Sequence, residues 1–361
     1  MTESDDRTPA SWWIYRGIGP VVSPDGTKQA APQAEIPGPP SWRRFHGEPP
    51  ADLPEPEPES PDVLDRKLGQ HFWSGPSGLD RRELNLINAA LLLRRPLLIS
   101  GRAGTGKSTL AYSIAAELGL GRVLTWPITS RSSLEEGLYH YDAIGRLQEA
   151  GIAGRVSGSE QNRAAVAVRD IGRYIRLGPL GTALLPWQRP RVLLIDEIDK
   201  SDVDLPNDLL TVFEDGAYTI PELARVADKQ NDIEVLPAHG RARVTIRAGE
   251  VSCRAFPIVV LTSNGERDFP PPFLRRCVRL TLRRSGPEWV RTILNRHLGP
   301  NDMALARSLI PAFVERTDGA EELAIDQLLN AAFVTASIRP HGDDEKDLTE
   351  GLLGALNRPT P

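Results

Sequence analysis

Gly101-Arg102-Ala103-Gly104-Thr105-Gly106-Lys107-Ser108-Thr109 satisfies the phosphate-binding pattern G-x-x-x-x-G-K-[ST] in full. Its glycines let the backbone wrap closely enough for successive N–H groups to face phosphate oxygens. Lys107 is placed to reach the β- and γ-phosphates, and the Ser108 hydroxyl to complete a Mg²⁺ shell. The flanks agree with this reading. Pro96-Leu97-Leu98-Ile99-Ser100 is a short apolar run bounded by proline and glycine, which predicts a buried parallel strand. Beyond the loop, Leu110, Ile114, Ala115 and Leu118 recur at helical spacing. Strand, loop and helix set the phosphates at a helix N-terminus, where free N–H groups and the dipole favour anions. A glycine-rich turn with a solvated lysine would not account for both flanks.

Working outward, residues 63–285 alternate apolar runs with helical patterns, the signature of a doubly wound α/β domain. Predicted strands are 96–100, 122–126, 191–196, 256–262 and 277–282, a parallel five-stranded sheet. Arg191-Val192-Leu193-Leu194-Ile195-Asp196-Glu197 ends one of them in an acidic pair. Ligands of open α/β sheets bind at that strand edge. Asp196 there would hold the Mg²⁺ shell, and Glu197 would orient an attacking water. A plain reading is a strand running into a helix capped by Asp196 or Asp199. Val259-Val260-Leu261-Thr262-Ser263-Asn264 brings an amide to the same edge, although Asn264-Gly265 is also a turn signal. Phe273-Leu274-Arg275-Arg276-Cys277 follows. Arginine suits transition-state charge on a phosphoryl group, so Arg276 first and Arg275 second are candidate fingers, against a solvated basic face.

Length and composition bound the rest. A chain of 361 residues suggests about two domains. A net charge of −5 argues against a general nucleic-acid binder. Cys253 and Cys277 show no metal spacing and fit a reducing compartment. No run is long and apolar enough to span a membrane, and the acidic start Met-Thr-Glu-Ser-Asp-Asp-Arg is not a secretory signal, so a cytoplasmic location is expected. Residues 1–62 are proline-dense and read as a disordered or extended tail. Two aromatic-basic islands interrupt it, Trp12-Trp13-Ile14-Tyr15-Arg16 and Ser41-Trp42-Arg43-Arg44-Phe45. They fit a docking peptide or a strand packed on the domain. The insertion 133–190 holds Leu138, Tyr141, Ile144 and Leu147 at helical spacing, then a glycine-rich break at 151–158. From 286 to 340 the pattern is helical and reads as a small all-α lid; 341–361 is a polar tail.

The loop, the Leu-Leu-Ile-Asp-Glu-Ile-Asp strand, the Thr-Ser-Asn strand end and the Leu-Arg-Arg turn together resemble the AAA+ ATPases, P-loop NTPases with a helical lid. The stretch 195–220 is similar to the MoxR branch and its dynein-related relatives. The resemblance covers about 80–340. It implies ATP and Mg²⁺, with Gly101, Ala103, Gly104, Thr105, Gly106, Lys107, Ser108 and Thr109 as the first Walker motif. Asp196 and Glu197 match the second, Asn264 the first sensor and Arg276 the finger. It also implies a hairpin with arms Val244-Thr245-Ile246 and Val251-Ser252-Cys253 around a four-residue loop, Arg247-Ala248-Gly249-Glu250. A hexameric ring that remodels a client protein, often one with a von Willebrand A domain, is implied too. One departure stands out. The stretch Ala324-Ile325-Asp326-Gln327-Leu328 lacks the family's sensor-2 arginine, for which Arg339 is a candidate substitute.

Three other functions compete with a remodelling ATPase. They are a small-molecule kinase, a slow nucleotide-dependent scaffold, and a subunit of a nucleic-acid restriction or defence complex. No Asn-Lys-x-Asp guanine motif is present, which favours ATP over GTP.

Overall fold

In a computed structural model of the chain, which describes residues 10–18, 35–69, 78–156, 171–282, 287–298, 303, 310–311 and 325–338, the five predicted strands form one parallel sheet. Helices α1 (Pro61–Leu68) and α2 (Arg81–Leu93) lead into β1 (Leu97–Ser100), and α3 (Lys107–Leu118) follows the phosphate loop. Then come β2 (Leu124–Pro127), β3 (Tyr139–Tyr141), β4 (Ile175–Leu177), β5 (Val192–Asp196), β6 (Ala217–Thr219) and β7 (Asp232–Val235). Strands β8 (Val244–Arg247), β9 (Glu250–Ser252), β10 (Ile258–Ser263) and β11 (Val278–Thr281) complete the set. The sheet order is β11-β1-β10-β5-β2, with Leu97 beside both Val260 and Val278, and Leu194 beside Val260 and Thr125. The loop-bearing strand and the acidic strand thus flank β10, and their C-terminal ends share one edge.

Strand alternation splits the core into two layers. Leu98, Leu193, Ile195, Val259 and Leu261 face one side, where an antiparallel module packs. Leu97, Ile99, Val192, Leu194 and Val260 face the other, beneath α2 and α3. Strands buried on both faces read as continuous apolar runs, as parallel strands should. A capping box starts α2: the Asp80 carboxylate accepts from the Glu83 N–H at 2.7 Å, and the Glu83 carboxylate accepts from the Asp80 N–H at 2.9 Å. A third cluster, centred on Val290, Leu294, Leu328 and Ala331, joins the helices Pro287–His297 and Ile325–Ile338 into the described part of the lid. Residues 341–361 and Arg339 lie outside the described residues.

Four expectations need correction. The insertion is not helical through Leu138–Leu147: Ser133 and Glu136 cap a short helix, Leu134–Leu138, and Tyr139–Tyr141 then pairs antiparallel with Ile175–Leu177 as a strand. Asp142 accepts from the Gly145 N–H at 2.8 Å, and a helix runs from Ala143 to Val156, through most of the predicted glycine break. Cross-strand pairing overrides the local period there, and Ile144 and Leu147 stay exposed. Second, the hairpin loop shrinks to two residues, because Arg247 pairs with Glu250. Ala248 (φ 52°) and Gly249 (φ 72°) both take positive φ, the primed turn that matches strand twist. Third, that hairpin is part of a four-stranded sheet, β6-β9-β8-β7.

Fourth, the described parts of 1–62 are not disordered. Trp13 and Tyr15 sit in the α2–α3 layer, while Phe45 and Leu53 pack on the opposite layer. Residues 35–59 run as an irregular belt fastened at intervals. Arg94 donates to the Pro37 carbonyl (2.7 Å), Gly47 N–H to the Cys253 carbonyl (3.1 Å), Thr245 Oγ1 to Asp52 Oδ2 (2.8 Å) and Arg122 N–H to the Glu57 carbonyl (2.7 Å). Proline density removes donors and fixes φ but leaves carbonyls free, so donors from the body fasten the belt at Pro37, Asp52 and Glu57, while Gly47 supplies its own N–H.

Candidate active site

The phosphate loop turns where its glycines allow. Gly104 and Gly106 adopt φ of 74° and 83°, and a Cβ at Gly101 would meet the Leu282 carbonyl oxygen at 2.7 Å. Lys107 begins α3 and folds back: its Nζ donates to the carbonyls of Gly101 and Arg102 and to Asn264 Oδ1, each at 2.8 Å. Burial lowers its pKa most strongly, and Asp199, Asp196 and Glu197 oppose that shift. Ser108 Oγ donates to Asp196 Oδ1 at 2.6 Å.

The acidic pair diverges because its backbone does. Glu197 has φ 61°, one of only three positive-φ residues other than glycine among the described residues. That conformation costs on the order of 1–3 kcal/mol and turns the second carboxylate out of the strand line. Thr262 over-determines the bend. Its hydroxyl accepts the Glu197 N–H at 2.8 Å and donates to Asp196 Oδ1 at 2.6 Å. Glu197 Oε2 is paired with Lys200 Nζ at 2.7 Å, while Oε1 is 3.5 Å from Asn264 Nδ2. Asp199, 5% exposed, fixes the Asn264 turn: its Oδ2 accepts from the N–H groups of Asn264 (2.8 Å) and Glu266 (3.1 Å). Its Oδ1 is buried and makes no hydrogen bond.

Lys107, Ser108, Asp196, Glu197 and Asn264 therefore converge, along with Ala103, Gly104, Thr105, Gly106 and Thr109, on one cavity of about 450 Å³. Apolar walls from Leu68, Leu79, Trp289, Ile293 and Leu329 enclose the rest of it, and Arg66, Lys67 and Arg296 add positive charge. A lid helix, Ile325–Ile338, begins within the stretch 324–328, and its Leu329 faces the cavity. Arg275 and Arg276 do not line this cavity. Arg276 Nε binds Glu214 Oε1 at 2.6 Å, and the Arg275 carbonyl accepts from Arg95 at 3.2 Å.

The donor set fits a magnesium nucleotide. A hydroxyl and a carboxylate oxygen are hard ligands of the kind Mg²⁺ takes alongside phosphates, and a glycine cradle with a buried ammonium suits the phosphates. Sequence reading missed Thr262 and Tyr15, which also lines the cavity. For Thr262 a signal existed: it precedes Asn264 by one strand period on the strand beside Asp196.

Among the described residues no helix is long and apolar enough to cross a membrane. A family model for the AAA domain, dynein-related subfamily, matches residues 96–277, just over half of the chain. Comparison with the curated proteins returns no match. Among solved structures, the chain is similar to a RuvB variant from Thermotoga maritima, at 16% identity over 84% of this chain and 73% of that one, with a TM-score of 0.37.

Proposed function

The chain belongs to the AAA domain family, in its dynein-related subfamily, and from that premise we propose that it is an ATPase that spends ATP hydrolysis on remodelling or activating a partner protein. The observation that carries the reading is the convergence at one strand edge. Lys107 meets Asn264 at 2.8 Å, Ser108 meets Asp196 at 2.6 Å, and Glu197 lies within 3.5 Å of the same asparagine.

Lys107 and the loop N–H groups bind and orient the β- and γ-phosphates. Ser108 and Asp196 would hold Mg²⁺, which would supply neutralisation of developing phosphate charge. Glu197 orients the attacking water and accepts its proton, and Asn264 spans water and γ-phosphate. To do so Glu197 must give up its bond to Lys200. Arg276, with Arg275 beside it, completes the site of a neighbouring subunit in a ring, by the family's pattern a hexamer. The client is a protein, with a von Willebrand A domain as the leading class. The Glu197–Lys200 pair favours one second reading, a slowly hydrolysing nucleotide switch.

Lys107→Ala should weaken ATP affinity by on the order of 100-fold, the worth of a buried charge-assisted contact. Glu197→Gln should bind ATP as the wild type does and stop turnover. Equal loss of affinity in both variants by calorimetry would refute the assignment; wild-type turnover below one per minute with normal ATP affinity would favour the switch.

A further inference from the structure

Residues 13–18 are gripped by the body through their backbone, at the wall of the nucleotide cavity. Asn88, fully buried on α2, accepts the N–H groups of Ile14 (2.7 Å) and Tyr15 (2.9 Å) and donates to the Tyr15 carbonyl (2.7 Å). Glu117 on α3 accepts the N–H groups of Arg16 (2.5 Å) and Ile18 (3.0 Å). Trp13 Nε1 donates to Asn85 Oδ1 at 2.8 Å. Burying an amide and a carboxylate costs several kcal/mol unless they are partnered, and here the tail supplies partners to both.

Tyr15 is fully buried, and its phenol oxygen lies 2.7 Å from Ser113 Oγ. Both residues line the same cavity as Lys107. Ser113 lies about 9 Å along α3 from Lys107 at ~1.5 Å per residue. Tyr15 thus backs the cavity well away from the phosphate loop, at a depth suited to a nucleoside.

We infer that docking of residues 13–18 and binding of a purine nucleotide are coupled, with Tyr15 a positioning residue that holds the base-end wall. This rests on the nucleotide-binding reading above. When the island lets go, Ser113, Asn88 and Glu117 are hydrated and the wall opens. A nucleotide that packs on the closed wall binds the docked state better, and reciprocity requires it to strengthen docking by the same factor.

The test uses the full chain, with ADP and pyrophosphate as probes. Asn88 lines no part of the cavity, so Asn88→Ala releases the island without touching the ligand. ADP affinity should fall about tenfold, within the range of measured couplings, while pyrophosphate, read by competition, should bind as before. Tyr15→Phe, which removes the hydroxyl that meets Ser113, should weaken ADP by about 2–3-fold. In the wild type, ADP should slow tryptic cleavage after the exposed Arg16, followed by mass, by about the factor lost in Asn88→Ala. If Asn88→Ala fails to fold, Tyr15→Phe and the wild-type cleavage rate decide. A wild type that binds ADP, with unchanged affinity in the folded variants or an ADP-independent rate at Arg16, overturns the coupling and leaves the ATPase reading standing. A wild type that binds no ADP removes both.

Discussion

At Trp13–Ile18 side chains of the body grip the backbone of the tail, whereas at Arg43 a side chain of the tail grips the backbone of the body. Arg43 donates to the carbonyls of Phe213 (2.8 Å) and Arg94 (3.1 Å), and its guanidinium lies 4.3 Å from the Phe256 ring centre. Phe45 stacks on the same ring at 5.4 Å. The first grip depends on residues of the body and, apart from the buried Trp13 and Tyr15 side chains, tolerates change in the tail. The second depends on one tail residue, because only a forked cation reaches both carbonyls while lying on a ring. Two islands of similar composition are therefore fastened by opposite chemistry. Only the first sits at the nucleotide cavity.

The largest expected effect falls on the second island. Arg43→Met keeps the apolar stem but strands two carbonyls and loses the ring contact, so stability should fall by on the order of 3 kcal/mol. Burial lowers the Arg43 pKa, and its Nε makes no hydrogen bond, so part of the gain is already offset by desolvation. Denaturant midpoints should show the loss, with ADP affinity unchanged. An equal loss in Arg44→Met, at an exposed neighbour, would break the contrast.

A smaller effect belongs to the first island. Glu117→Gln leaves one acceptor oxygen for two N–H groups and should destabilise by about 1 kcal/mol, with faster tryptic cleavage after Arg16. Arg16→Ala, which keeps the gripped backbone, should melt within about 0.5 kcal/mol of the wild type. A larger loss would show that the tail's side chain, too, is being read.

The smallest effect is a pH dependence where the belt crosses a small cavity lined by Pro54, Glu57, Arg122, Arg191 and His239. Burial, then Arg122, Arg191 and Arg176, lowers the His239 pKa below its ordinary value. The folded state therefore favours neutral imidazole. Its stability is intact above the ordinary value of about 6.5 and is lost as pH falls from there toward the folded value. His297 shifts the same way, so the difference between wild type and His239→Gln from pH 7.5 to 5.5 isolates the contribution. Parallel curves would dissociate His239 from the belt.

How much of this was legible follows from distance along the chain. The phosphate loop, the acidic pair and all five sheet strands are local patterns, and each stands where the sequence put it to within two residues. Asn264 was legible as well, because a strand end in a parallel sheet has only one edge to occupy. Tyr15 was not: its partners Asn88 and Ser113 lie 73 and 98 residues away, and the surrounding composition argues for disorder. Tyr139–Tyr141 became a strand only because Ile175–Leu177 came to pair with it. Ile144 and Leu147 kept helical spacing yet remained outside the core, since periodicity does not say whether a partner face exists.

The belt also sets an order of assembly. Arg43 must wait for Phe213, 170 residues later in synthesis, and Gly47 for Cys253. At ~5–20 residues per second that delay is on the order of ten seconds or more. The belt around Arg43 and Gly47 is thus fastened only after much of the body it wraps has been made, and the long loop closures involved are slow to form. Until then Phe45 has no Phe256 to stack on, whereas Trp13 and Tyr15 wait only for α2 and α3. A chain whose core has misassembled keeps these aromatics on display, and the belt becomes a tag of unfinished folding, open to chaperones and proteases.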